Sequence, residues 1–429
     1  MAAEQDLAGE ICVIGAGAAG LWAAARVARA GRRVLLLEKT PRTGTKVLAS
    51  GGTRCNLTTT LDGPAAAELF GRAGARFLAP AFRALPPAAL RERFAELGVE
   101  TVEEPLEKVF PKSGSAREVR DALERDAKAA GARIVCDAGV EGIAREDGAW
   151  TLRVAGGRSL RCAKLVVCPG GKSYPKTGTV GEGYGWLAEL GLPIVEPVPA
   201  LVPLSSPAAW VRELAGVSLQ DVEARIVDSQ GTTLARRRRP VLFTHRGVSG
   251  PGAMDLSAPV ARAEADARRK GVRPPVFHLV LDLVPELPRE ALRDLLVAAA
   301  GAPGAPTIAH ALPAAPPRRV MDVVARRSRI ESGDLRANRL DRESRHLLVE
   351  TLKGLPIEVD GTLGFDQAEV TAGGLALTHV DPGTMRVKGF EGLYACGEIL
   401  DLAGPIGGLN FQSAFATAEL AARDAAVTP

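Results

Sequence analysis

Aromatic side chains are scarce, at 4% of 429 residues. So small a set offers few stacking platforms for single-stranded bases. Metal ligands are equally thin. The five histidines (245, 278, 310, 346, 379) show no ligand spacing, and the six cysteines (12, 55, 136, 162, 168, 396) form no CxxC pair. This argues against a metal site or a dithiol redox motif and leaves reduced, mostly buried thiols. No apolar run is long enough to cross a bilayer, and MAAEQDLAGE at the start has no basic region followed by an apolar one. A cytoplasmic chain without a membrane anchor is the expectation.

Against these absences stand 47 glycines, several of them ordered in one stretch, Ile11 to Glu38. Ile11 to Ile14 is a short apolar β-run, Gly15, Gly17 and Gly20 fill a GxGxxG, Leu21 to Ala30 has helix-forming composition, and Val34 to Leu37 is a second buried strand ending at Glu38. The first glycine permits a tight turn, the second lets backbone approach a pyrophosphate, and the third lets the helix pack on the sheet. The unpaired N–H groups at the positive end of the helix then face the phosphates, and Ala18 and Ala19 are expected among the cofactor contacts. Glu38 sits where a carboxylate accepts hydrogen bonds from ribose hydroxyls and repels a 2′-phosphate. An unphosphorylated adenine dinucleotide is expected. No second GxGxxG follows another strand, so a separate Rossmann domain for NAD(P)H is not.

Further along, the polar loop 39–60 gathers Lys46, Arg54, Cys55 and Asn56 where ligands bind in open α/β folds. Residues 64–100 read as helical, and Ser115 to Glu118 as a capping box opening a helix that ends near Gly131. Val140 to Val154 reads as an antiparallel excursion, and Lys164 to Cys168 as a buried strand running into Gly170. Such a meander between parallel strands is typical of FAD-type dinucleotide folds. From 194 to 354 the composition changes to proline-punctuated strands, with a hairpin at Ser229 to Gly231, followed by an arginine-rich helical part. Residues 200–350 carry 23 Lys+Arg against 17 Asp+Glu, whereas the whole chain is only +4. This insertion is therefore the basic part, a candidate footprint for a polyanion. Residues 391–401 read as a strand ending at Gly397 and Glu398, and a loop from 404 leads into a helix whose start, near Gly407, Gly408 and Asn410, offers N–H donors to developing negative charge. The expected fold is α/β, with a two-part Rossmann-like dinucleotide-binding domain (1–193 and 355–429) around an inserted β-barrel-like and helical domain.

The chain resembles the BaiN-like FAD-dependent oxidoreductases, also described as YhiN-type flavoproteins. The resemblance rests on GAGAAG at 15–20, Lys46 with SGGTRCNLT at 50–58, VFPKS at 109–113, GGKSYPKTG at 170–178, FTHRGVSGP at 243–251, and YACGEILD with GPIGGLNFQSA at 394–414. It implies FAD held by Gly15, Gly17, Gly20 and Glu38 with Lys39 and Lys46 nearby, adenine read by backbone at Val140, and the pyrophosphate and ribityl region met by Gly397 and Glu398. The isoalloxazine is approached by Gly408, Leu409 and Asn410. Thr53, Thr59, Leu409, Arg386 and Val387 depart from the family pattern, which bears on the substrate rather than on the flavin.

Activities in the resembling family include reduction of steroid enones, oxidation of aminoacetone, and reduction of a uridine in large-subunit ribosomal RNA to dihydrouridine. The expectation is an FAD-dependent reductase of an activated C=C bond with NAD(P)H as electron donor, acting on a small molecule or on RNA contacting the basic insertion, with no DNA partner. The alternatives are an oxidase of a small amine and a flavin-binding RNA or ribosome-associated factor with little turnover. His245 is the first candidate acid or base, because its unperturbed pKa suits proton transfer near neutrality, and Cys55 the second. The oligomeric state is left open.

Overall fold

The computed structural model describes residues 6–332 and 334–427. The first five residues of MAAEQDLAGE lie outside them. The chain divides into two compact units, Met1–Pro199 with Ala368–Pro429, and Ala200–Gln367. The sequence-based limits of the insertion were 194 and 354. Ile194–Ala200 instead pairs with Val370–Leu375, and Leu355–Val359 pairs antiparallel with Phe277–Asp282 inside the second unit. Pairing across long sequence separations sets these limits, and local composition does not carry that information.

In the first unit, strand β1 (Asp6–Ile14), helix α1 (Ala18–Arg29) and strand β2 (Val34–Leu37) follow one another as the periodicity demands. β1 lies parallel to β2, with Ile11 opposite Val34 and Ile14 opposite Leu37. On its other side it is parallel to Arg158–Val167, with Ile14 opposite Val167. Arg133–Val135 extends the sheet beyond β2, and Leu393–Ala395 adds a parallel strand beside Leu165–Val167. The chain order therefore reverses between β1 and Arg158–Val167, the place where open α/β sheets bind ligands at the carboxyl edge. Val140–Glu146 and Ala149–Val154 form the expected antiparallel excursion. Every residue of α1 from Ala18 to Ala25 is buried, so this helix is held by packing on several sides rather than by an amphipathic face. Trp22 packs on Phe415 of the C-terminal helix Leu409–Val427 (5.3 Å between rings) and donates from Nε1 to buried Glu419 at 2.7 Å.

Helices Gly63–Glu68, Gly71–Ala84 and Pro87–Glu96 fill the expected helical stretch. The helix Ala116–Ala129 begins at Ser115, but that side chain makes no cap bond. Ser113 engages Glu118 instead, so the capping box is a correction: its acid is taken by a hydroxyl two residues earlier.

The second unit has its own apolar core, built around Leu279, Leu281, Val324 and Ile357. Two antiparallel sheets make its β part, one of five strands and one of four. Glu223–Val227 and Thr233–Arg238 form the expected hairpin, and helices Arg289–Gly301, Arg318–Arg327 and Arg342–Lys353 make the helical part. Among the described residues no helix is long and apolar enough to cross a membrane.

Candidate dinucleotide and redox site

The three fingerprint glycines do three different things. A Cβ on Gly15 would lie 2.6 Å from the Cys168 carbonyl oxygen, and one on Gly20 would lie 1.8 Å from the Gly15 oxygen. Both positions are closed by packing. A Cβ on Gly17 would meet nothing within 4 Å. Gly17 is also the N-cap of α1 and supplies no side-chain cap bond. The first-turn N–H groups of Ala18 and Ala19 lack helical acceptors, as in any α-helix. An open backbone surface beside uncapped amides fits a pyrophosphate.

Glu38 leaves β2 and turns back over this site. One carboxylate oxygen accepts from the Ala16 N–H at 2.9 Å, and the other accepts from the Thr40 N–H and hydroxyl, both at 2.8 Å. The remaining lone pairs suit ribose hydroxyls. Next to it, Lys39 pairs with Glu182, while the Glu38 carbonyl accepts from Ala138 N–H at 2.8 Å and brings Val140 to the same edge. Gly170 has φ +86° and a Cβ there would lie 2.7 Å from Thr179, so it shapes the neighbouring loop.

A second cluster lies around Glu398. Lys46 donates to both of its oxygens (2.8 and 2.6 Å) and to the Ser173 hydroxyl (2.6 Å). Ser173 Oγ and Thr371 N–H each donate to Glu398 Oε1 at 2.9 Å. Burial pushes the Glu398 carboxyl upward, but the Lys46 ammonium and the Ser173 and Thr371 donors outweigh it and hold the group below the usual carboxylate range. Oε1 thus has three donors and Oε2 one, leaving Oε2 as the freer acceptor for a polyol. Sequence reasoning found Lys46 and Glu398 but missed Ser173 and Thr371. Ser173 lies inside the GGKSYPKTG motif, a usable signal, whereas Thr371 reaches the cluster through a strand beyond the insertion and has no local signal.

The third element is the start of the helix Leu409–Val427. Gly408 has φ +80° and passes so close to Thr58 that a Cβ would lie 2.0 Å from its carbonyl oxygen. Gln412 fixes the same turn, accepting from Thr58 Oγ1 (2.6 Å) and donating to the Leu85 carbonyl (2.7 Å). The Asn410 side chain is committed to both backbone groups of Gly404 at 2.9 Å. What Gly408, Leu409 and Asn410 offer is therefore backbone N–H at the positive end of a 19-residue helix. Gly397, at φ +76°, brings its backbone against Ala19 and donates to Thr417 at 3.0 Å.

The loop 50–56 is more structural than its composition suggests. Arg54 pairs with Glu104 and stacks over Phe110, 4.2 Å from the ring centre. Asn56 accepts from Val109 N–H at 3.2 Å. Cys55 is fully buried, and burial pushes its thiol up to about 12 despite a hydrogen bond with Ser50. Gly51, Gly52, Thr53 and Cys55 all have positive φ, and at Thr53 and Cys55, which carry a Cβ, this left-handed backbone is strained.

His245 is exposed in the turn between Val241–Thr244 and Gly247–Ser249 of the second unit. The glycines of its motif serve packing there. A Cβ on Gly247 would lie 2.1 Å from the Leu204 oxygen, and one on Gly252 would lie 2.5 Å from the Arg239 oxygen. No group of metal-ligating side chains occurs among the described residues.

Over residues 9–424 the chain matches the HI0933-like protein Rossmann domain. It is 29% identical to a ribosomal RNA dihydrouridine synthase of Escherichia coli over 415 residues, 96% of each chain. It is 28% identical to a 3-dehydro-bile acid delta(4,6)-reductase of Clostridium scindens over 422 residues, 98% of this chain and 99% of the other. Among solved structures, a 3-ketosteroid-delta4-(5alpha)-dehydrogenase from Rhodococcus jostii superposes with a TM-score of 0.52 at 15% identity, covering 100% of this chain and 99% of the other. An open-form flavocytochrome c3 fumarate reductase superposes with a TM-score of 0.53 at 15% identity, covering 99% of this chain and 79% of the other. These two likenesses concern the fold.

Proposed function

The chain belongs to the HI0933-like Rossmann-domain family of FAD-dependent oxidoreductases, and on that premise we propose that it uses NAD(P)H to saturate a carbon–carbon double bond conjugated to a carbonyl, with a uridine of ribosomal RNA as the leading substrate. The observation that carries the FAD reading is the open Gly17 backbone beside the uncapped start of α1, with Glu38 turned over it. The proposed double bond draws on two relatives with different substrates, one named for making dihydrouridine and the other a delta(4,6)-reductase. Uridine and a steroid enone share an alkene polarised by a carbonyl, so hydride at the β-carbon and a proton at the α-carbon complete either reduction.

When bound, FAD supplies the two-electron hydride chemistry. The residues here divide the remaining tasks. The Gly17 turn and α1 would hold the pyrophosphate, Glu38 the adenosine ribose, Glu398 with Lys46 the polyol chain, and the amides of Gly408, Leu409 and Asn410 the negative charge at the pyrimidine end of the ring. His245 is the proposed proton donor, as an exposed imidazole, whereas the buried Cys55 thiol holds its proton too tightly. With no second GxGxxG, NAD(P)H would dock over the same flavin.

The test is product analysis. Purified protein, FAD, NADPH or NADH and unmodified large-subunit ribosomal RNA transcript should yield RNA in which one uridine gains two hydrogens. An unchanged transcript alongside turnover of a steroid enone would move the substrate to the small-molecule class. Amine-driven peroxide formation with neither reduction would contradict the proposal.

A further inference from the structure

We propose that the arginine array Arg336–Arg345 on the second unit is the surface on which the phosphates of the RNA substrate dock. The inference rests on the RNA reading above and adds the place of contact. RANRLDRESR sets arginines at 336, 339, 342 and 345, one every third residue. Between 318 and 345 there are nine arginines and five acids (Asp322, Glu331, Asp334, Asp341, Glu343), an excess of four that equals the net charge of the whole chain.

Three of the five acids are engaged. Asp341 caps the helix Arg342–Lys353 by accepting from Ser344 N–H at 2.7 Å. Glu343 is held by Arg329 at 2.7 Å, and Asp334 lies 3.4 Å from Arg318. Arg336 is also committed, donating to the Gly304 and Ala305 carbonyls at 2.9 Å and so tying the array to a neighbouring loop. Arg339 and Arg342 are exposed and Arg345 half-buried. No carboxylate forms an ion pair with these three among the described residues.

Their position sharpens the case. Arg342 and Arg345 occupy the first turn of a 12-residue helix, where the backbone dipole is positive and where the two acids, Asp341 and Glu343, are engaged by the Ser344 amide and by Arg329. Two guanidinium groups three residues apart share a face there, so each repels the helix end and the other. Arg318 and Arg319 likewise open the helix Arg318–Arg327, which has no acid in its first turn. An approaching polyanion relieves this repulsion, and planar guanidinium forks match phosphate oxygens bidentately. With so few aromatic residues, such a surface holds the RNA by its backbone and leaves base choice to the active site.

The experiment uses the FAD-loaded protein and unmodified large-subunit ribosomal RNA transcript, with binding measured across a salt series for the wild type and for the combined Arg339→Gln, Arg342→Gln, Arg345→Gln variant. Loss of three phosphate contacts should weaken binding about tenfold or more and lower the slope of log K against log salt by about 2, at about 0.7 per single-strand contact. The flavin spectrum and NAD(P)H-driven flavin reduction should not change, which also reports that the variant is folded. The corresponding triple lysine variant should restore most of the slope. A glutamine variant that binds with unaltered affinity and slope overturns the docking surface while the RNA reading stands. Wild-type protein that binds no better than a neutral control protein overturns both.

Discussion

The Lys46 ammonium stands 2.8 and 2.6 Å from the two oxygens of Glu398, across 352 residues of sequence. The pair joins the short helix Thr45–Ala49 after β2 to the turn Gly397–Ile399 that follows the parallel strand Leu393–Ala395, so the two separated segments of the first unit meet on one charge pair. Lys46→Met removes the main group opposing burial of Glu398, and its carboxyl then rises. A depressed carboxyl stabilises the protein above its unfolded pKa, and that contribution is lost as pH falls through the folded value. The wild type should therefore keep FAD and its melting temperature into mildly acidic buffer, and Lys46→Met should lose both at a higher pH. Melting curves and FAD release from pH 7 down to about 4 check this; superimposable profiles would contradict it.

The fingerprint glycines should separate stability from binding. Gly17→Ala places its methyl in open space at φ −79°, so the melting temperature should hold while FAD affinity falls about tenfold, or ~1.4 kcal/mol. Gly20→Ala drives a Cβ into the Gly15 carbonyl and should destabilise the apoprotein by about 1–3 kcal/mol or more. Denaturant melts and FAD titrations distinguish the two effects.

Glu419 accepts from Trp22 (2.7 Å), Arg26 (2.6 Å) and Arg423 (2.7 Å) while itself buried. Burial raises its carboxyl, and Arg26, Trp22 and Arg423 more than reverse that. Glu419→Ala leaves Arg26 and the indole N–H without their acceptor and should cost about 3–5 kcal/mol, measured by urea unfolding, with the flavin spectrum of the folded fraction unchanged.

The legibility of the chain followed the range of its interactions. The β1–α1–β2 unit was readable because each step is local: alternation of apolar residues, a glycine turn, and an acid at the strand end. The Glu398 cluster was half readable. Lys46 and Glu398 lie in dense motifs, but Thr371 arrives by the strand Val370–Leu375, which pairs with Ile194–Ala200 far away in sequence. Arg54 and Asn56 read as ligand donors, and in the structure they also hold Glu104, Phe110 and Val109. A polar side chain in a glycine-rich loop looks the same in sequence whether it faces a ligand or its own backbone.

His245 and Cys55 give opposite expectations. His245→Gln should lower double-bond reduction about 10²-fold, with flavin reduction by NAD(P)H intact. Cys55→Ala should keep turnover within a few fold, and the wild-type thiol should resist alkylation at pH 8 until the protein is unfolded. A rate loss of about 10²-fold for Cys55→Ala with His245→Gln left within a few fold would reverse the two assignments.

The central claim is tested most directly by an anaerobic half-reaction. The FAD-loaded protein is bleached with a stoichiometric amount of NADPH or NADH and then mixed with ribosomal RNA transcript in the absence of oxygen. The account predicts return of the oxidised flavin spectrum matched, mole for mole, by dihydrouridine in the RNA. Flavin that stays reduced in the presence of both the transcript and a steroid enone, yet reoxidises at once with oxygen, would contradict it.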